Sequence, residues 1–144
     1  MLNLIKILLF SQTITLTPLP ILLKQGESHE IKLTNSISAI TSGAHIRIDI
    51  SAMKPDDAND FSSIKSWVEK SFKEYDIIAE ISNTESGDNI NIFYLGGFSW
   101  NGEKVHLKLN PTTGFPINAN YNKLIVSSNV ELKNVYLLWQ NYSL

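Results

Sequence analysis

Apolar and polar residues alternate most regularly between Ile90 and Leu109, and this stretch reads as a β-hairpin. Ile90, Ile92, Tyr94, Phe98 and Trp100 share one face of an extended strand, and Val105, Leu107 and Leu109 meet them on it from the returning strand. Asn101-Gly102 lies between the two. That dipeptide suits a two-residue type I′ turn, whose central residues both need φ > 0. Such a turn sets Trp100 opposite Glu103, Phe98 opposite Val105, Gly96 opposite Leu107 and Tyr94 opposite Leu109. The second face carries Asn91, Ser99, Lys104, His106 and Lys108, with Phe93 and Leu95 as apolar exceptions. Gly96-Gly97 inside the strand marks a bulge or a close backbone approach.

The same period of two recurs elsewhere. Met1–Phe10 reads as a first strand; Lys6 interrupts its apolar run and no clean small-residue cleavage site follows, so a signal peptide fits less well. Ser11–Thr17 alternates through Ile14 and Leu16, and Pro18-Leu19-Pro20 then stops pairing because neither proline can donate to a ladder. Ile21–Lys24 is a short edge piece, His29–Thr34 alternates through Ile31 and Leu33, and Asn35–Ser42 is irregular. Ala44–Ser51 is the most regular strand of the first half, with Ile46, Ile48 and Ile50 inward and His45, Arg47 and Asp49 outward. Asp76–Ser82, Lys123–Ser127 and Val135–Tyr142 complete the strands. The last is apolar on both faces and predicts a central or partner-covered strand.

One segment has a helical period. Phe61, Ile64, Val68 and Phe72 recur at three- and four-residue spacing with Trp67 and Tyr75 beside them, which predicts one helix around 60–74. Asp60 is its N-cap, and Lys70 and Lys73 suit its C-terminal end. About nine short strands with one inserted helix predict a mainly β, single-domain protein over 1–144, an antiparallel β-sandwich of immunoglobulin-like or jelly-roll-like type. Lys-Gln-Gly-Glu-Ser-His-Glu-Ile-Lys-Leu (24–33) resembles the turn-and-strand opening of many immunoglobulin-like sandwich domains.

Composition narrows function more than it defines it. A net charge of −2 and a single arginine, Arg47, argue against a general nucleic-acid binder, which needs a basic stripe. The absence of cysteine excludes disulfides and thiolate metal sites. Ile-, Asn-, Ser- and Lys-rich usage points to low-GC coding, bacterial or phage. No apolar run approaches a membrane helix, and a cytoplasmic location is expected.

The chemistry-bearing residues are scattered. His29, His45 and His106 have no metal-ligand spacing and read as outward strand residues. The oxygen-rich run Asp56, Asp57, Asn59, Asp60 could attract Ca²⁺ but lacks the glycine and distant glutamate of an EF-hand loop; helix capping accounts for it. Ser62-Ser63-Ile64-Lys65 matches Ser-x-x-Lys without the companion motifs of serine acyltransferases. Asn141-Tyr142-Ser143 fits a glycosylation pattern at the chain's end. No Ser/His/Asp set or carboxylate pair can be assembled from sequence order, so neither an enzyme nor a cofactor is expected.

Two features remain. Apolar residues on nominally outward faces, namely Phe93, Leu95, Tyr136, Leu138 and Tyr142, predict a contact surface for a partner protein or a second copy, as in a subunit of an assembly. The aromatic and amide content offers carbohydrate binding as the alternative, with Trp67, Trp100 or Tyr121 as stacking platforms. The slight acidity leaves a third reading, a small inhibitor or immunity protein of a bacterial toxin.

Overall fold

The computed structural model describes residues 13–141. Met1–Phe10, the expected first strand, lies outside them. Nine strands occur among the described residues: β1 (Thr13–Thr15), β2 (Ile21–Leu23), β3 (Ser28–Ser38), β4 (His45–Asp49), β5 (Ile77–Ser82), β6 (Asn89–Trp100), β7 (Val105–Asn110), β8 (Asn120–Ser128) and β9 (Leu132–Gln140). They form one antiparallel sheet in the order β1-β9-β4-β7-β6-β5-β8-β3, with β2 also on β9, curled into a half-barrel.

The antiparallel, mainly β character is as expected, but the ladder is continuous where two stacked sheets were expected. β4 pairs with both β7 and β9, and β8 with both β5 and β3, so no break divides the strands into two layers. A twisted sheet of this width can curl around its own core. The bend is helped at one end, where Gln25 beyond β2 bridges to Ser128 at the end of β8.

Inward alternation builds that core. Ile46 and Ile48 of β4, Leu107 and Leu109 of β7, and Leu137 and Trp139 of β9 are fully buried. The Trp139 ring meets Phe115 at 5.0 Å and 78°, an edge-to-face pair. β9 is the central strand its two apolar faces predicted. It pairs with β4 on one edge and with β1 and β2 in succession on the other, either side of Pro18-Leu19-Pro20. Between those two short strands the Thr17 hydroxyl accepts a hydrogen bond from Leu137 N–H at 2.9 Å, so the ladder's donor is satisfied where proline halts pairing.

The helix α1 (Phe61–Ser71) forms where its period predicted, and the Asp60 carboxylate accepts from Ser63 N–H at 2.7 Å as N-cap. Ile64, Val68 and Phe72 join the core, and Phe61 stacks on Phe98 of β6 at 6.0 Å. The helix therefore lies on the inner side of the curled sheet, beside β6.

The β6–β7 hairpin differs from its expected turn. Asn101 does not adopt a positive φ; Gly102 does, at 92°. The Asn101 side-chain oxygen accepts from Glu103 N–H at 3.0 Å and Lys104 N–H at 2.7 Å, so an Asx-type turn spans Asn101–Lys104. Trp100 consequently pairs with Val105 and Phe98 with Leu107, two residues off the expected register. Tyr94 nevertheless pairs with Leu109 as expected. The excess is absorbed at Leu95–Gly97, where three residues of β6 face Lys108 alone, with Gly96 at φ 94°. Because two residues are added and not one, alternation is preserved and Ile90–Trp100 keeps its even-numbered face on the core. Further corrections concern strand limits: β3 runs on through Ser38, where an irregular stretch was expected, and β8 begins at Asn120.

The bulge makes a testable distinction between its glycines. Gly96→Ala is expected to destabilise the protein by about 1–2 kcal/mol, because an L-residue is strained at positive φ. Gly97→Ala, whose added Cβ meets Lys108 Cβ at an ordinary 3.6 Å, should be near neutral; urea melts of the two variants check the difference.

Candidate functional site

The inward alternation of β9, β4, β7 and β6 throws a second set of side chains onto the outer face. Register fixes their neighbours. In one transverse row Tyr136, Asp49, His106 and Ser99 follow one another across the four strands. In the next, Leu138, Arg47 and Lys108 are cross-strand partners. Beyond them His45 pairs with Gln140, and Asn110 with Phe93.

The contact residues expected from the sequence are separated by this arrangement. Phe93 and Leu95 lie on β6, while Tyr136 and Leu138 lie on β9, with β7 and β4 between them. Three interstrand spacings put the two pairs roughly 14 Å apart. Leu95 lies in the bulge and is 69% exposed. Phe93 is half-buried beside a residue that sequence reasoning missed: Ile78 of β5, its cross-strand partner, is 38% exposed. Tyr136 and Leu138 are half-buried. Tyr142 lies outside the described residues. Leu95 also rims a groove of about 400 Å³ between α1 and the bulge, whose walls include Val68, Phe72, Tyr75 and Tyr94.

The stacking candidates fare differently from one another. Tyr121 is 1% exposed, its ring packed against Phe115 at 6.0 Å, and offers no face to a ligand. Trp100 is half-buried beside Phe61 at 6.5 Å. Trp67 packs edgewise on Phe72 at 5.5 Å and lines a separate groove of about 470 Å³ with Asp57, Ser63, Ser66 and Lys70.

Between the apolar flanks the outer face is polar and basic. His45 is buried, and its Nδ1 faces the Gly43 carbonyl at 3.0 Å, while Nε2 receives a hydrogen bond from Arg47 Nε at 2.9 Å. The ring is therefore neutral with its proton on Nδ1. Burial pulls its pKa down to about 4, with Arg47, Lys108 and His106 acting in the same direction. His106 is also lowered, by burial first and by Arg47 and Lys104 after Asp49's opposing pull. No family model, no curated protein and no solved structure matches the chain.

Strand pairing thus assembles a Ser99–His106–Asp49 row that sequence order did not reveal. Its geometry is loose. Ser99 Oγ lies 3.5 Å from His106 Nδ1, the outer limit of a hydrogen bond, and Asp49 Oδ1 accepts from Ser51 N–H at 2.9 Å. The row also lies on a sheet face, and three grooves of about 360 to 470 Å³ are lined by other residues. Of the three histidines, His45 and His106 lie on the adjacent strands β4 and β7 but in different rows of the outer face, and His29 lies on β3. Among the described residues no group of three or more His, Cys, Asp or Glu is placed to hold a metal, and no helix is long and apolar enough to cross a membrane.

The two histidines set a pH dependence. Their folded pKa values lie below the unfolded value, so on acidification the unfolded chain takes up protons first. Stability is then complete above about pH 7 and falls between 6.5 and about 4 for His45, by on the order of 3 kcal/mol at most, with His106 adding in the same sense. Urea melts across this range should show the fall, and His45→Gln should flatten much of it; an unchanged profile in the variant would refute the assignment.

Proposed function

We propose that this chain is a non-enzymatic binding protein that works by contact with another protein, a partner or a second copy, through the outer face of β5 and β6. The observation that carries the reading is the apolar cross-strand pair Ile78–Phe93 with Leu95 exposed nearby in the bulge. Outer strand positions are normally polar when they face water, and adjacent exposed apolar side chains on a sheet more often mark an interface. Leu95 also rims the groove beside α1, on the inner side of the sheet, which gives a partner side chain somewhere to insert. Tyr136 and Leu138 form a second, smaller contact on β9, across the basic centre of the face.

One observation keeps carbohydrate binding as a second reading. Trp67 brings an indole to a groove that also holds Asp57 and three serines, the mixture of ring face and hydroxyl-binding groups that a sugar uses. A glycan array tests it, with Trp67→Ala as the control.

The leading reading predicts that Leu95→Asp weakens association by about tenfold or more, the loss of one apolar anchor at an interface, with little change in melting temperature. Leu138→Asp should weaken it less. Sedimentation velocity over a wide concentration range, with pull-down of any partner, makes the comparison. A monomer at all concentrations with no partner captured overturns the reading.

A further inference from the structure

Of the chain's fourteen asparagines, Asn101 alone is followed by glycine. Many of the others precede residues that crowd the next backbone nitrogen, such as Thr84, Ile90, Ile92 and Val130, and Asn110 precedes Pro111, which has no N–H. The fold places this dipeptide at the tip of the β6–β7 hairpin, with Asn101 and Gly102 both exposed. Among the described residues Gly102 N–H forms no hydrogen bond, so its proton is open to solvent base. The Asn101 amide is held by its oxygen, which accepts from Glu103 N–H at 3.0 Å and from Lys104 N–H at 2.7 Å. Two donors on a carbonyl oxygen draw electron density from its carbon and stabilise negative charge that arrives on that oxygen. A backbone nitrogen with no side chain in its way and a polarised amide carbon therefore share one exposed turn.

We infer that Asn101 is a site of spontaneous self-modification, at which its side-chain amide is exchanged for a carboxylate. Gly102 N gives its proton to solvent base, bonds to Asn101 Cγ and closes a five-membered ring, a step favoured because both atoms belong to the same chain. The amide nitrogen then takes a proton from solvent and leaves as ammonia. Water adds to one of the two ring carbonyls and breaks its bond to nitrogen. Addition at Cγ restores the ordinary backbone with aspartate in place of Asn101. Addition at the main-chain carbonyl leaves the chain running through the former side chain, as isoaspartate. Overall a water enters and an ammonia leaves, and no other reactant is needed.

The two products act differently on the hairpin. Aspartate presents carboxylate oxygens to the same two N–H groups and keeps the turn, because a charged acceptor makes the stronger bond. Isoaspartate puts an extra methylene into the main chain of the loop that sets the tip register. Either one adds negative charge beside Glu103, so the tip grows more acidic as the protein ages. The site is independent of the apolar contact proposed for β5 and β6, and either can stand without the other.

The test is peptide mapping by mass spectrometry of the folded protein kept at mildly alkaline pH, beside a free peptide with the sequence of Phe98–Leu107. The mass gain of an amide-to-acid exchange is expected at Asn101 at least about tenfold faster than at any other asparagine, and at a rate comparable with the free peptide's. Asn101→Gln, whose longer side chain must close a larger ring, should lose the gain whether or not the turn survives. Asn101→Asp, the standard for the direct product, should melt no lower than the parent. Retention of the Asn101 amide in the folded protein while the free peptide converts, or conversion spread evenly over the asparagines, would overturn the inference. A clear drop in the melting temperature of Asn101→Asp would overturn it too, because the turn would then not keep the carboxylate.

Discussion

The sheet depends on β4. Five residues, His45–Asp49, pair with β7 on one side and β9 on the other, strands that lie far along the chain. Ile46 and Ile48 are fully buried between the inward residues of both neighbours, and each such side chain contributes roughly 1.5–3 kcal/mol by leaving water. Without β4 the ladder would fall into a β1–β2–β9 fragment and a β7–β6–β5–β8–β3 fragment, each with half a core. A closing strand whose partners are both distant in sequence also makes assembly non-local, and such topologies fold slowly.

The polar chemistry of the outer face follows from the same pairing. The alternation that sends Ile46 and Ile48 inward sends Arg47 and Asp49 outward, and the register then decides that Arg47 meets Lys108 and Asp49 meets His106. Neither juxtaposition is a property of any one segment. The cluster is a product of the ladder, and its partial desolvation comes from long side chains lying side by side on adjacent strands.

The inner face of the hairpin, the helix with its Asp60 cap, the bulge at Gly96-Gly97 and the central position of β9 were all legible from local pattern. Each depends on residues close together in the chain. Strand order was not legible, because alternation says which way a side chain points and is silent about which strand lies next to it. For that reason two stacked sheets were expected where one curled sheet forms, and Arg47 read as a solvent-facing neighbour of Asp49 when its decisive neighbours are His45 and Lys108. Ile78 was missed on similar grounds. It stands among the inward Ile77, Ala79 and Ile81, and it acquires meaning only when β5 docks beside Phe93. The turn was misread for a subtler reason: Asn-Gly favours a two-residue loop, but the asparagine side chain can make the turn itself by capping two N–H groups.

The two-residue excess at Leu95–Gly97 divides the hairpin into two ladders in series. Pairing at the tip, from Trp100 with Val105 to Phe98 with Leu107, is set by the Asn101–Lys104 loop. Pairing at the base, Tyr94 with Leu109, is set by the body of the sheet. The bulge works as a slack joint between them. Length changes at the tip can be taken up there in steps of two without turning a core residue outward, so the loop is the part of this hairpin most free to lengthen or shorten as related sequences diverge.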